Sequence, residues 1–558
     1  MVLNNLILNI LNSKFKKFLV YLMTAVLFFG SVYMIPLELV KAKMLPGKDS
    51  DSFSLYVDLP TNSNRFKTKE VSSCIANYLL DETAVETVSV FLGEGQPLDF
   101  AGMVKGSALK SSANQAEIMV NIKKAKHRDE RSYNMIHRIR PLIKQKCSKH
   151  NATIKFIELP SGPPTLADIV AEVTGGDSFE SQRKLAYKIA KILKKQKTLV
   201  DVDVVADETT FKYSIILNKN KILQSGISFE QIKKMLYVAF EGSDIGVINE
   251  GDAENQIKLF LRLDDKRLLN KGDEEDIKNK LFALKLMNPM GLMIPMSNFV
   301  KIKKVKQAPT IHSKNLKKIV NVLATTDDDS QIYPLLDARE DMIKELADDY
   351  IVTKTTMLNL GFEDKKTGEQ FDMVWDGELK VTIDTFIELG VAFIGALVLI
   401  FFLMVVYYKN FALAGAIVMA SFLSLIGVIV GHYVMDQITA DRFYLTATSL
   451  IGFIGLIGIN SRNSLLIVDF AKQLIKNDKL QVNEAIAKAT ATRAKPILLT
   501  VLAIVFASSL LASDAVFGGL GVALIGGTIF AYLVSLFFVP LSIQNSLIKG
   551  ESDFKDFK

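Results

Sequence analysis

The stretch Gly458 to Ala471, GINSRNSLLIVDFA, places the permanently charged Arg462 inside an apolar run that extends from about Phe443 to Phe470. Such a run exceeds the roughly 20 residues a helix needs to cross a bilayer. A charge at that depth costs about 2.5–3.5 kcal/mol on insertion scales unless a partner or water meets it. Two explanations compete. Arg462 can snorkel its guanidinium to the inner headgroups, or it can serve an ion pathway as a fixed positive charge, because arginine does not release its proton near neutral pH. No hydrolytic constellation accompanies it. The chain holds five histidines, no GxxxxGK[ST] phosphate loop and no paired cysteine motif. An enzyme is therefore not expected, and no soluble cofactor or resident metal is implied.

Hydropathy predicts six spans: Phe18 to Leu37, Phe386 to Tyr408, Phe411 to Val430, Phe443 to Phe470, Ile497 to Ala512 and Gly518 to Leu541. The fifth is short and could extend back through Pro496. Lys14, Lys16 and Lys17 precede the first span, Lys409 separates the second and third, and Lys472, Lys476, Lys479, Lys488, Arg493 and Lys495 lie between the fourth and fifth. With Lys549, Lys555 and Lys558 after the sixth, the positive-inside rule predicts both termini and these short segments in the cytoplasm. The long segment from about Glu38 to Thr385 then faces outward. A cleaved signal peptide is the alternative for the first run, but that run is longer than a usual apolar core and its cleavage pattern is poor.

Composition fits a membrane protein with a large soluble insertion. Apolar residues make up 49% of the chain, yet 23% are charged, mostly in the insertion. A net charge of +7 would suggest nucleic acid in a soluble protein. Here the excess follows the inward loops, so anionic membrane lipid accounts for it and no nucleic acid partner is expected. Cys74 and Cys147 both fall in the exported region, where a disulfide is chemically permitted. One sits mid-helix and the other at the end of a second predicted helix, so a bond between them is not expected.

The exported region, roughly 350 residues, exceeds one ordinary domain. Strand-like Ser52 to Leu59 is followed by a helical stretch from about Thr68 to Leu80 and by the strand Thr87 to Leu92. Ala116 to Ile122, a helix from about Arg131 to Lys146, and Thr153 to Leu159 repeat the theme. That β-α-β-β-α-β order is the split βαβ plan of ferredoxin-like domains. The strand-helix-strand unit recurs near Ile169 to Val204, with a helix over Phe179 to Lys194, and near Val320 to Thr353, with a helix over Ile332 to Asp348. About Lys212 to Ser313 reads as short strands with turns at Asn218 to Asn220 and Gly251 to Asp252, a docking insertion. Ser161 to Pro164, SGPP, reads as a linker because consecutive prolines break helix and strand.

The chain resembles the C-terminal half of a resistance-nodulation-division (RND) efflux permease of the AcrB type. The residues that carry the resemblance are MLP at Met44, VDLP at Val57 to Pro60, GPP at Gly162 to Pro164, MIPMSNF at Met293 to Phe299 and WDGE at Trp375 to Glu378. RNSLLIVDF at Arg462 to Phe470, AKPILLT at Ala494 to Thr500 and FFVPL at Phe537 to Leu541 complete it, in the family's order over nearly the whole chain. The resemblance implies an α-helical bundle of six transmembrane helices with a large α+β periplasmic insertion of ferredoxin-like porter modules and a docking module. Expected boundaries are 1–40 for the N-terminus and first span, 41–160 for the first porter subdomain, 161–211 and 314–385 for the two parts of the second, 212–313 for the docking subdomain, 386–541 for five spans and 542–558 for a cytoplasmic tail.

The resemblance also implies what is missing. Family proton-binding aspartates lie in the N-terminal half, and the intramembrane carboxylates here, Glu388 and Asp469, do not match that acidic pair. Arg462 falls where drug pumps often carry a lysine that counters it. Arg493 and Thr500 fall on relay positions of the next span, although Thr500 could equally back-bond to its own helix. The glycines of the fourth and sixth runs, Gly452, Gly455, Gly458, Gly518, Gly521, Gly526 and Gly527, are expected to pack helices together.

For substrate, the family's pocket-switching loop maps to about Gly93 to Val104, with Phe100 and Met103 as candidate binding residues, although surface loop packing is the more ordinary reading of those two side chains. Met287, Met290, Met293 and Met296 repeat every three residues, and thioethers suit Cu(I). An extended strand would scatter that spacing over both faces, so no metal site is expected. The expectation is a bacterial inner-membrane subunit of a proton-driven antiporter exporting hydrophobic or amphiphilic compounds. It would require a separate N-terminal-half permease chain, a periplasmic adaptor, an outer-membrane channel and a trimeric assembly. A SecD/SecF-like protein-export subunit and an inactive transporter fragment are the alternatives.

Overall fold

The computed structural model describes residues 2–555 apart from 48, 62, 98, 160–161, 163–164, 254–255, 264–273, 328–329, 440–441 and 515. Three residues of the SGPP linker, Ser161, Pro163 and Pro164, lie outside the described residues. The chain forms two compact units, one built from 1–206 with 311–558 and one from 207–310.

The chain starts with helices α1 (Val2–Asn12) and α2 (Lys14–Tyr33). A first α/β module follows: β1 (Ser52–Asp58), α3 (Arg65–Leu80), β2 (Val85–Leu92), α4 (Phe100–Lys105), β3 (Gln115–Ile122), α5 (Ser132–Cys147) and β4 (Thr153–Ile157). Its sheet runs β2-β3-β1-β4, antiparallel throughout. Asn64 starts α3 by accepting a hydrogen bond from the Lys67 amide at 3.1 Å, which satisfies one of the orphan donors of a helix N-terminus. Leu55, Val57, Ile118 and Val120 from the sheet bury against Ile75, Leu79, Ile136 and Ile139 from the two helices. Truncating one of these to alanine typically costs about 2–5 kcal/mol.

The expectation of separate cysteines is wrong. Cys74 and Cys147 are joined as a disulfide, with Cα atoms 5.7 Å apart, inside the range a bridge requires. The helices α3 and α5 pack side by side over one core, which brings the middle of one to the end of the other.

A second α/β module opens with β5 (Ile169–Gly175), α6 (Phe179–Leu193) and β6 (Leu199–Val205). The chain then leaves for the 207–310 unit: β7 (Phe211–Leu217), α7 (Lys219–Ser225), α8 (Phe229–Phe240), β8 (Ser243–Ile248), β9 (Ile257–Leu261), α9 (Glu274–Ala283), β10 (Lys285–Met287), β11 (Met293–Pro295) and β12 (Val300–Lys306). Within it the pairs are β7 with β12, β8 with β9 and β10 with β11. The turn expected at Asn218 to Asn220 is instead a helix start, because the Asn218 side chain caps α7 by accepting from the Lys221 amide at 3.2 Å. The β10–β11 hairpin also alters the methionine argument. It sets Met287 directly opposite Met293, with Met290 exposed in the turn and Met296 fully buried.

The second module resumes with β13 (His312–Lys314), β14 (Lys317–Thr326), α10 (Ile332–Glu345), β15 (Tyr350–Thr355), β16 (Asn359–Asp364) and β17 (Gln370–Asp376). The sheet runs β13-β14-β5-β17-β16-β15, with β6 also on β14. Leu360, Phe362, Phe371, Met373 and Trp375 are all buried in its core.

From Gly377 the chain passes directly into α11 (Glu378–Tyr408). Then come α12 (Phe411–Phe422), α13 (Leu425–Ile438), α14 (Ala447–Asp478), α15 (Val482–Ala512) and α16 (Gly518–Lys555). Together with α2, these supply six helical segments long and apolar enough to cross a membrane, α12 and α13 counting as one. The second segment begins at Glu378 rather than Phe386, and the fifth runs back through Pro496 to Val482. Helices α13 and α16 touch through glycines: a Cβ on Gly427 would stand 2.2 Å from the Gly526 carbonyl oxygen. No side chain larger than hydrogen fits there.

Candidate functional site

Helix α14 carries Arg462. It is started by a capping box between Thr446 and Ser449. A helix turns 100° per residue, so Asn460 and Ser464 lie on the side opposite Arg462. That opposite side is buried, whereas Arg462 is exposed. The exposed stripe of α14 comprises Ile451, Gly455, Gly458, Arg462 and Leu466, spaced three or four residues apart. A Cβ added at Gly455 or Gly458 would meet nothing within 4 Å, while one at Gly452 would come 2.9 Å from Leu520. The expectation that all these glycines pack the bundle therefore fails for Gly455 and Gly458. They border Arg462 on a face that this chain's own helices leave uncovered.

Arg493 and Thr500 lie on α15. The Arg493 guanidinium stacks over the Phe470 ring at 4.9 Å, a cation–π contact, and its Nε has no hydrogen-bond partner. Thr500 donates to the Pro496 carbonyl at 3.1 Å, the back-bonding alternative. No hydrogen bond or ion pair joins Arg462, Arg493 and Thr500 among the described residues. Asp469 is held in the C-terminal part of α14 by the Tyr408 hydroxyl at 2.8 Å and the Tyr407 hydroxyl at 3.4 Å. Glu388 is exposed on α11. Neither carboxylate meets Arg462.

In the first module, Met103 is 63% exposed on α4. Phe100 begins that helix, and its side chain lies outside the described part of the structure. A cleft between the two modules is lined by Lys43, Lys105, Glu158, Asp168, Asp327 and Glu378, among others. Arg140 reaches across from α5 to within 3.8 Å of Glu158 and 3.6 Å of Asp327. Glu158 keeps a side-chain exposure of 35%, yet crowding by protein pushes its carboxyl up to about 7, with Arg140 pulling the other way.

With this geometry in hand, comparison with known proteins decides the family. The family model described as "AcrB/AcrD/AcrF family" matches residues 3–542. The chain belongs to this family of RND permeases. The swarming motility protein SwrC of Bacillus subtilis is 22% identical over 536 residues, which cover 94% of this chain and 45% of the relative. The multidrug export protein AcrF of Escherichia coli is 22% identical, covering 93% of this chain and 47% of its own length. The crystal structure of a heavy metal efflux pump superposes with a TM-score of 0.71 at 18% identity, covering 98% of this chain and 52% of that one. At that identity the likeness speaks for the fold. The chain spans about half the length of the curated relatives it matches.

Sequence reasoning about this RND permease chain missed two polar features. His432 on α13 is fully buried; its ring nitrogens lie 2.8 Å from the Val428 carbonyl and 2.8 Å from the Ser449 hydroxyl. Ser449 continues to Thr446 at 3.0 Å and Thr446 to Thr448 at 2.8 Å. Deeper along α14, Asn460 is buried with neither amide atom hydrogen-bonded, and Ser461 meets Ser421 at 3.0 Å. One signal was available in the sequence, since His432 is the one histidine of the five that falls near an apolar run.

Proposed function

We propose that this chain supplies the C-terminal half of a proton-driven RND efflux permease that moves hydrophobic or amphiphilic compounds outward across a bacterial inner membrane. The single observation that carries the proposal is the uncovered Gly455–Gly458–Arg462 stripe of α14. Small residues let a second helix approach closely, and Arg462 there has no carboxylate from its own bundle among the described residues. A second half would cover the stripe and bring the titrating carboxylates, which Arg462 would hold ionised until protonated. Family membership supports a trimer working with a periplasmic adaptor and an outer-membrane channel. The lysines flanking the spans support cytoplasmic termini and a periplasmic insertion.

Arg462→Ala is the test. Removing the charge leaves the partner carboxylate less stabilised in its ionised form, and its pKa rises. The variant should insert and assemble at normal abundance but lose gradient-dependent efflux, measured in vesicles containing both halves and normalised to assembled protein. A snorkelling arginine predicts the reverse, reduced abundance with normal efflux per molecule. That result would defeat the proposal.

A further inference from the structure

The segment from Gly93 to Lys110, which carries Phe100 and Met103, is tied to the first module through Glu117 on β3. Glu117 is wholly buried, a rare condition for a carboxylate. Its Oε2 accepts from the Gln96 amide N–H at 3.1 Å and from the Ser107 hydroxyl. These donors flank α4, so one oxygen gathers both ends of the segment. The Gln96 side chain extends the tie: Ser54 donates to its Oε1 at 3.0 Å, and its Nε2 donates to Asp99 at 3.1 Å. Asp99 in turn caps α4 by accepting from the Gly102 amide. The two ends are packed tightly enough that a Cβ on Gly95 would stand 2.1 Å from the Ser107 carbonyl oxygen. The other carboxylate oxygen, Oε1, is buried with no hydrogen-bond partner.

We infer that Glu117 is a positioning residue, a carboxyl latch that holds the 93–110 segment more tightly when protonated than when ionised. The uneven bonding sets the sign. Two donors on one oxygen leave half of a buried carboxylate without a partner, and a buried charge so placed is costly. A neutral carboxyl can carry its proton on Oε1 and keep Oε2 as a carbonyl acceptor for both donors. If the segment lifts away, water reaches the group and the penalty on the charge disappears. Burial raises the Glu117 pKa, while the Ser107 and Gln96 bonds pull it down. A pKa raised in the latched state means that the latch is strongest below the ordinary glutamate range and weakens as pH rises through the raised value. The charged and titratable groups facing Glu117 are Asp99, Lys110 and the Tyr56 hydroxyl, with Asp58 acting on Tyr56 behind them. Lys110 sits 3.0 Å from Asp58 and 4.2 Å from the Tyr56 ring centroid, and Lys155 binds Asp58 at 3.1 Å from the other side.

Only the consequence for transport rests on the proposed function; the latch can be tested without it. A nitroxide on Met103→Cys in the full chain reports motion of the segment, and the two native cysteines are paired, so the label has one target. From pH 5 to 9 the mobile fraction should rise with pH. The closed-to-open ratio changes by up to about tenfold for each pH unit separating the free and latched pKa values. Glu117→Gln should stay immobile and flat across the range. Ser107→Ala, which removes a donor to the ionised form, should carry the transition to higher pH. A flat wild-type profile, mobility that rises on acidification, or a Glu117→Gln profile that titrates like wild type would overturn the latch. If the spectra behave as expected while Glu117→Gln leaves efflux unchanged, the latch stands and the placement of this segment on the substrate path falls.

Discussion

Arg140 joins the two α/β modules, and replacing it should loosen both. It is 3% exposed on α5, and its guanidinium pairs with Asp201 on β6 while stacking over Phe156 at 4.8 Å. Asp201 has a φ of +53°, a left-handed conformation that aspartate tolerates better than most residues. It lies beside the irregularity where the β6–β14 register shifts, and such a bulge re-aims a side chain. Arg140→Met keeps much of the stem and deletes the charge. Breaking a buried pair by removing one partner costs about 3–5 kcal/mol. Asp201 would still keep Lys144 at 2.6 Å and the Phe156 amide at 3.0 Å, so the lower end, about 3 kcal/mol, is expected. With a urea slope of about 2 kcal/mol per molar, the midpoint falls by roughly 1.5 M. The chain's one tryptophan, Trp375, is buried in the second module, so its fluorescence in a urea titration of the full chain follows that module. Asp201→Asn should recover part of the loss in the Arg140→Met background, since contacting residues are non-additive. A midpoint shift below about 0.3 M, or a double variant that costs the sum of the singles, would refute the reasoning.

A nonreducing peptide map should show the Cys74–Cys147 linkage, and Cys74→Ala with Cys147→Ala should make the first module more sensitive to protease, a loss of about 2–4 kcal/mol. Glu158 adds a pH dependence of definite sign. Its folded-state pKa is raised to about 7, so its contribution is full below the ordinary carboxyl range and is lost as pH rises through about 7; the Trp375 urea midpoint should be lower at pH 8 than at pH 6, and Glu158→Gln should shrink that difference. Gly377 holds a φ of +85°, and a Cβ there would stand 2.6 Å from the Ala167 carbonyl oxygen. Gly377→Ala should cost at least about 1–3 kcal/mol in the same titration, and an unchanged midpoint would show that the β17–α11 corner relaxes.

The long apolar helices were legible because each is a long apolar run, and long runs leave few alternatives. Their ends were not, since the first turns of α11 carry Lys380 and Asp384 yet continue the helix from Gly377. The two α/β modules showed through strand and helix periodicity, but β16 and β17 were missed even though Leu360 and Phe362, then Phe371, Met373 and Trp375, alternate at the period of two that a strand requires. The disulfide was invisible for a different reason. It depends on how two helices whose cysteines lie 73 residues apart pack against each other, which no local pattern encodes. The same limit applies to Arg462: spacing placed it in a span, but which side of α14 is covered is decided by α11, α12, α15 and α16. It also applies to Glu117, whose role depends on partners 21 and 10 residues before it.

The connections between the bundle and the two modules differ in kind, and the difference says where motion is easiest. The second module grows into α11 through an unbroken backbone at Gly377. It is fastened again where the Ser330 hydroxyl donates to the Ala42 carbonyl and the Tyr333 hydroxyl reaches the Ile35 carbonyl at 3.2 Å. Ala42 itself pairs with Leu445, just ahead of α14. A tilt of α11 or α14 must therefore pass into the second module, because close-packed elements transmit displacement rather than absorb it. Between the two modules the ties are of another sort: Arg140 and Lys144 with Asp201, and Lys155 with Asp203. Ion pairs can part and re-form with a change of protonation or hydration, which a continuous strand-to-helix joint cannot do. The cleft that bears Glu158 and Lys105 lies along this ionic seam, and the latched 93–110 segment ends beside it. A displacement of α11 or α14 would thus appear as opening and closing of the seam, with the first module swinging and the second following the helices.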